Sequence, residues 1–217
     1  MPSTPLADAK PYHHGDLRQA LLTAAWALLE EGGLDAVTIR AVARRSGVSH
    51  AAPHHHFSSK GELVEAMVVE GFEWLTDELT RAWDAHADPL EALDATGAAY
   101  IRFARERRAV FQLLNRPELR RAPGGPDAAE QAGLRAFEVL ARGIERCQEA
   151  GRIPPGDSRP WTLLAWSGVH GLAMLLDSGL LDAFGGTDDD YTRVLIQGLH
   201  QGLVARGQWG SRADVPG

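Results

Sequence analysis

Apolar residues recur at helical spacing along almost the whole chain. Leu17, Leu21, Ala24, Ala25, Leu28 and Leu29 predict a helix over 16–31, with Asp16 as its N-cap and Gly32-Gly33 as its stop. Thr38 stands before Ile39, Val42 and Ala43, so its hydroxyl can cap a short second helix that ends at Ser46-Gly47. Val48 is apolar just beyond that glycine, and Ser49 opens a further short helix running through Phe57. A long helix follows over 62–83, carried by Leu63, Met67, Phe72 and Leu75. Later periodic stretches cover 89–105, 108–115, 127–150, 160–177 and 188–206. They are separated by the Pro/Gly-rich run 116–126 and by a connector holding Pro154, Pro155 and Gly156. No segment alternates as a strand would, so the fold class is all-α.

Two short helices joined by a glycine-containing turn with an apolar residue just past it make a helix-turn-helix. The first helix would pack across the pair, closing a three-helix core from Leu17, Leu21, Leu28, Ile39, Val42, Val48 and Phe57. In such a unit the second short helix enters the major groove and the first crosses the backbone. Ser49, His50, Ala51, Ala52, His54 and His55 are then the surface offered to DNA. Small residues at 51 and 52 allow close approach, and alanine methyls can meet a thymine methyl. The predicted organisation is a DNA-binding domain over 12–58, a larger helical body over 59–206, and loosely held ends at 1–11 and 207–217.

Charge at first argues against this. The 217 residues carry 22 basic and 29 acidic groups, a net charge of −7. Residues 1–60, however, hold six bases against five acids, or +1, and the remainder 16 against 24, or −8. Within the first part, Ala36 to Lys60 contains four cations, four histidines and no acid. A basic window on a helix-turn-helix, joined to an acidic body, is the distribution of a nucleic-acid-binding head. Histidine ionises in general near neutrality, so affinity for DNA should rise below pH 7.

Composition narrows the remaining classes. With 44% hydrophobic residues the chain can build a core, and its 23 glycines and 12 prolines follow no repeat, which sets aside fibrous and low-complexity readings. The one cysteine, Cys147, can form neither an internal disulfide nor a thiolate metal cage, and it fits a reducing compartment. The N-terminus shows no apolar signal core, and the longest uncharged run, Pro160 to Leu176, is 17 residues and includes His170. A cytoplasmic protein without a membrane span is expected.

The run from Tyr12 to Leu75 resembles the DNA-binding head of TetR-type transcriptional regulators. The resemblance is carried by His14-Gly15-Asp16-Leu17-Arg18, by Gly32-Gly33-Leu34-Asp35-Ala36-Val37-Thr38 and by Val42-Ala43-Arg44-Arg45-Ser46-Gly47-Val48-Ser49. His55-His56-Phe57 and Lys60 complete it. The C-terminal part is similar to a subgroup marked by a Trp-His-Gly cluster, here Trp166, His170 and Gly171. The resemblance implies about nine helices, a homodimer, an operator of two half-sites and a ligand cavity in each body. It assigns Thr38, Arg44 and Lys60 to backbone phosphates, and Ser49, His50, Ala51, Ala52 and His55 to the base-facing positions. His54 stands where the family usually has Tyr. Pro53 lies inside the recognition helix, so regular turns should begin near it and leave 49–52 as a tight lead-in. Phe103, Phe111, Trp166 and His170 are the candidate ligand contacts, drawn from a wider set with Trp74 and Met174. Leu176, Leu195, Gly198, Leu199 and Gly202 are the candidate dimer seam, although a buried core explains the leucines as well.

Rival chemistries find less support. Three adjacent imidazoles, His54 to His56, point about 100° apart on a helix and cannot converge on one ion; only His50 and His54 could share one. Ser167 lacks the first glycine and the preceding strand of a nucleophile elbow, and no phosphate-cradling loop or H-E-x-x-H is present. No catalytic residue, metal or cofactor is therefore expected. The predicted function is a ligand-responsive regulator, most often a repressor, with operator DNA, a second copy of the chain and a small-molecule effector as partners. The alternative is a helical small-molecule- or metal-sensing protein that does not bind DNA.

Overall fold

A computed structural model describes residues 14–116 and 128–205. Both loosely held ends, and most of the Pro/Gly-rich run 116–126, lie outside these residues. Eight α-helices are present among the described residues, with no strand: α1 His14–Ala36, α2 Ile39–Arg45, α3 Lys60–Asp84, α4 Pro89–Glu106, α5 Arg108–Leu114, α6 Ala128–Glu149, α7 Arg159–Asp177 and α8 Asp188–Ala205. Two short 3-10 segments, Ala52–His55 and Leu180–Phe184, complete the order. Eight helices among the described residues stand close to the about nine expected.

The chain forms two compact units that part between Met67 and Val68, within α3. In the first, α1 loses helical geometry at Gly32 and Gly33, and Gly33 sits at φ 67°, ψ −172°, a conformation open essentially to glycine alone. Thr38 then caps α2, its hydroxyl accepting from the Ala41 N–H at 3.1 Å. The end of α2 is a Schellman turn. Val48 N–H reaches the Ala43 carbonyl at 3.1 Å and Gly47 N–H reaches Arg44 at 3.2 Å, with Gly47 at φ 68°. Leu21, Val42 and Phe57 are fully buried as the periodicity requires, while Leu17, Leu28, Ile39 and Val48 are half-buried. Leu22, Ala25, Leu29, Val37, Leu63 and Met67 are among the other buried residues of this unit.

In the second unit α4 is the central helix, touching α5, α6, α7 and α8. Its buried residues, from Leu90 through Leu93, Thr96 and Ala99 to Ile101 and Ala104, face more than one side, as a helix surrounded by others needs. Asp88 caps it by accepting from Leu90 and Glu91 N–H groups at 2.9 and 3.2 Å, with Pro89 in the first turn. One cluster joins Leu90, Leu93, Ile144, Cys147, Ile153, Ala165 and Leu203. A second joins Ile101, Val169 and Leu172, with Leu176, Leu195, Ile196 and Leu199 packed against them. Full burial of a Leu, Ile or Val side chain in these clusters contributes about 1.5–3 kcal/mol. Close approach replaces side-chain bulk at Gly143, where an added Cβ would lie 2.7 Å from the Trp83 ring.

Candidate nucleic-acid interface and effector cavity

The first unit presents α2 and the segment after it. Arg44 is exposed and makes no ion pair among the described residues, and Arg40, one turn earlier on the same face, is likewise exposed. Arg45 differs. Its guanidinium donates to both Glu31 oxygens at 2.6 and 2.8 Å, tying α2 to α1 and holding the Glu31 carboxyl below its ordinary range. Thr38 is also exposed, its oxygen used in the cap and its hydroxyl proton without an acceptor among the described residues.

The expected helix over Ser49–Phe57 is instead a run of tight turns, and Pro53 supplies the reason. In an α-helix beginning at Ser49, the N–H of residue 53 would bond the Ser49 carbonyl, and proline has none. That carbonyl is taken by Ala52 N–H at 3.1 Å, and Ala51 accepts from His54 at 3.1 Å. The Pro53 carbonyl receives both His56 and Phe57 N–H groups at 2.9 and 2.8 Å. The regular part is Ala52–His55, beginning beside Pro53 as predicted. Ser49, His50, Ala51, His54 and His55 are exposed, Ala52 and His56 half-buried, and Pro53 buried. Phe57 closes the segment beneath the Arg18 guanidinium, 5.5 Å from the ring centre.

Lys60 opens α3, half-buried, with its ammonium donating to the Leu34 carbonyl at 2.8 Å. Its helix start is firmly set. Ser59 Oγ accepts from Glu62 N–H at 3.2 Å, and the Glu62 carboxylate accepts from Ser58 N–H at 2.7 Å, which lowers the carboxyl's pKa. Arg40, absent from the sequence-predicted set, shares the exposed face of Arg44. The signal for it was present as the i, i+4 spacing of two arginines on a seven-residue helix.

The second unit encloses a cavity of about 460 Å³ lined by α3 to α8. Phe72, Tyr100, Phe111, Phe137 and Trp166 supply aromatic walls, and Leu75, Leu79, Leu140, Val169 and Ile196 are among the aliphatic ones. Its polar lining comes from Asp94, Thr96, Tyr100, Asn115 and Glu130. Size and lining are those of a small-molecule site. The Trp-Ser-Gly-Val-His-Gly sequence divides its tasks. Trp166 lines the cavity, and His170 stacks on Trp166 at 5.2 Å between ring centres while its Nδ1 shares a 2.8 Å hydrogen bond with the Tyr100 hydroxyl. Gly168 makes room for α8, since a Cβ there would lie 3.1 Å from Leu199 Cδ1, whereas one at Gly171 would meet nothing within 4 Å.

Of the four sequence-predicted ligand residues, Phe111 and Trp166 line the cavity. His170 stands behind Trp166, and Phe103 is buried away from it, with the Arg107 guanidinium 5.9 Å from its ring. Trp74 also lies under Arg107, at 5.2 Å, and Met174 is exposed. Sequence reasoning missed Asp94. Its Oδ2 lies 2.6 Å from His200 Nδ1, and burial raises its carboxyl above the ordinary range, aided by Asp88 and Glu91, although the His200 contact works against the rise.

The predicted seam also divides. Leu176, Leu195 and Leu199 are half-buried against Ile101, Val169 and Leu172 of the same chain. A Cβ at Gly198 or Gly202 would meet nothing within 4 Å. The exposed apolar residues of α7 and α8 are others: Leu163, Leu164, Met174, Leu175, Val194 and Val204, of which Val194 is 66% exposed. No helix among the described residues is long and apolar enough to cross a membrane.

A helix-turn-helix head followed by a helical body around an apolar cavity is the architecture of a helical transcriptional regulator. The chain belongs to the TetR family: residues 21–67 match the family of bacterial regulatory proteins, tetR family, and residues 93–199 match the tetracyclin repressor-like C-terminal domain. It is 31% identical over 134 residues to the HTH-type transcriptional repressor KstR2 of Mycobacterium tuberculosis, a stretch that takes in 59% of this chain and 66% of that one. It is 34% identical to a protein of unknown function from Rhodococcus sp. RHA1, with a TM-score of 0.81 over 90% of this chain and 100% of the other. FadR of Bacillus subtilis, solved in complex with stearoyl-CoA, shares the fold at 14% identity, with a TM-score of 0.67 over 85% of this chain and 98% of that one.

Proposed function

We propose that the chain is a cytoplasmic, ligand-responsive transcriptional repressor and not an enzyme, binding a palindromic operator as a homodimer. The observation that carries the reading is the exposed, acid-free surface of α2 and the following turns, within the matched residues 21–67. Ser49, His50, Ala51, Ala52, His54 and His55 face the bases, while Thr38, Arg44 and Lys60 meet phosphates, with Lys60 bridging from the Leu34 carbonyl. The DNA-binding domain is 12–58 and the ligand-binding and dimerising body 59–206, with Trp166, His170 and Gly171 marking its subgroup.

Dimer formation rests on α7 and α8, whose exposed leucines and valines need cover and whose Gly198 and Gly202 leave room for a second backbone. The effector occupies the apolar cavity. FadR of Bacillus subtilis, complexed with stearoyl-CoA, supports a small-molecule effector for this fold without defining its chemistry. Repression and release need two states differing in the separation of the recognition segments, which must fit major grooves about 34–36 Å apart. An effector that favours the mismatched state weakens DNA binding, and DNA weakens effector binding by the same factor. Helix α3, which starts at Lys60 and carries Phe72, Leu75 and Leu79 to the cavity, is the lever. A mobility-shift assay on DNA flanking the protein's own gene tests this: a retarded band that Arg44→Ala weakens is expected, and no retardation on any such fragment would overturn it.

A further inference from the structure

The cavity's charge is one-sided. Among the described residues, no Lys, Arg or His lines it, whereas two carboxylates, Asp94 and Glu130, do. Asp94 is the informative one. It sits on the central helix α4, half-buried, and the contact to His200 engages Oδ2 only. Oδ1 has no partner among the described residues. Burial disfavours the charged form of this carboxyl, and the His200 contact on Oδ2 offsets part of that cost. Aromatic faces surround the same space, those of Phe72, Tyr100, Phe111, Phe137 and Trp166. A π face attracts positive charge, and the attraction grows as water is excluded. An anion entering this space would meet the Asp94 carboxylate and, among the described lining residues, no Lys, Arg or His to receive it.

Resting on the reading of the cavity as the effector site, we propose that the effector is a lipophilic cation, a protonated amine on an aromatic or aliphatic body, whose ammonium is received by Asp94 among the aromatic walls. The amine donates to Asp94 Oδ1 while His200 keeps Oδ2. The body fills the space between α3, α6 and α7. A free carboxylate of the same shape is excluded.

Three probes of one shape and different charge test this on the full-length protein: 4-hexylbenzylamine, 4-hexylbenzyl alcohol and 4-hexylbenzoate, followed at pH 7 by calorimetry and by the Trp166 contribution to fluorescence. The amine should bind at least tenfold more tightly than the alcohol, and the benzoate more weakly than both. In Asp94→Asn, which keeps an oxygen acceptor for His200, the amine's advantage over the alcohol should fall to within about twofold while alcohol binding is retained. Retained alcohol binding shows that the variant's cavity is intact. If the alcohol or the benzoate binds wild type as tightly as the amine, the cationic class is overturned and the cavity still stands as an effector site. If the amine's advantage survives Asp94→Asn, the assignment to Asp94 is overturned. If none of the three binds wild type, both the cationic class and the cavity reading fail, while the DNA-binding assignment, tested separately by mobility shift, is untouched.

Discussion

Arg44 and Arg45 are adjacent on α2, yet among the described residues only Arg45 has an acid to answer it, Glu31, at 2.6 Å. On the proposed reading Arg44 meets phosphate, and His50 and His55 read bases. Arg44→Ala should therefore weaken binding to all sequences alike, whereas His50→Ala or His55→Ala should flatten the preference between operator and scrambled DNA by the 1–3 kcal/mol typical of one base contact. Competition titrations separate the two outcomes, and equal losses on both DNAs from every variant would contradict the division. Cys147 gives a second prediction at this scale. Its thiol is buried, lies 3.2 Å from the Pro89 carbonyl and is pushed up to about 12, chiefly by burial and secondarily by Asp88 and Asp94. A thiol held protonated is a poor nucleophile. It should resist a disulfide reagent at pH 8 in the folded protein and react at once in denaturant; fast labelling of the native form would contradict its placement.

Helix existence was legible in the sequence because apolar spacing, caps and glycine stops agree with one another. Thr38 as the cap of α2, Gly47 as its stop and the span of α4 all follow from residues that act within one turn of themselves. What escaped was set by partners far along the chain. Asp94 and His200 are 106 residues apart, and nothing near either residue announces the contact. Phe103 and Phe111 look alike by periodicity, but the side of α4 and α5 that meets the cavity is fixed by packing, and only Phe111 lies on it. Leu195 and Leu199 turn inward for the same reason. The recognition segment was legible in part: the missing N–H at Pro53 placed the start of its regular turns, while the helix expected to run through Phe57 is a short 3-10 turn over Ala52–His55. Two stops permit a test of the local reading. Gly33 and Gly47 both have positive φ with nothing within 4 Å of an added Cβ, so alanine there strains the backbone alone. Gly47→Ala, in the left-handed region, should cost about 1–2 kcal/mol. Gly33→Ala, at ψ −172°, should cost more, up to about 3 kcal/mol. Urea unfolding of the full chain measures both, and the reverse order would show that the kink at Gly33 is not required.

For the whole molecule, a net charge of −7 conceals the division that matters. The acidic body carries the cavity and the exposed faces of α7 and α8, and the basic window carries the helix-turn-helix. The central claim is that two such heads, on a dimer, grip one operator through phosphates and bases together. Fluorescence anisotropy of labelled DNA flanking the protein's own gene, titrated at a series of salt concentrations, tests it most directly. If each protomer neutralises about four phosphates, log affinity should fall against log salt with a slope of about −6 to −8, at a stoichiometry of two chains per site. Binding of one chain per site, or an affinity that does not change with salt, would contradict it.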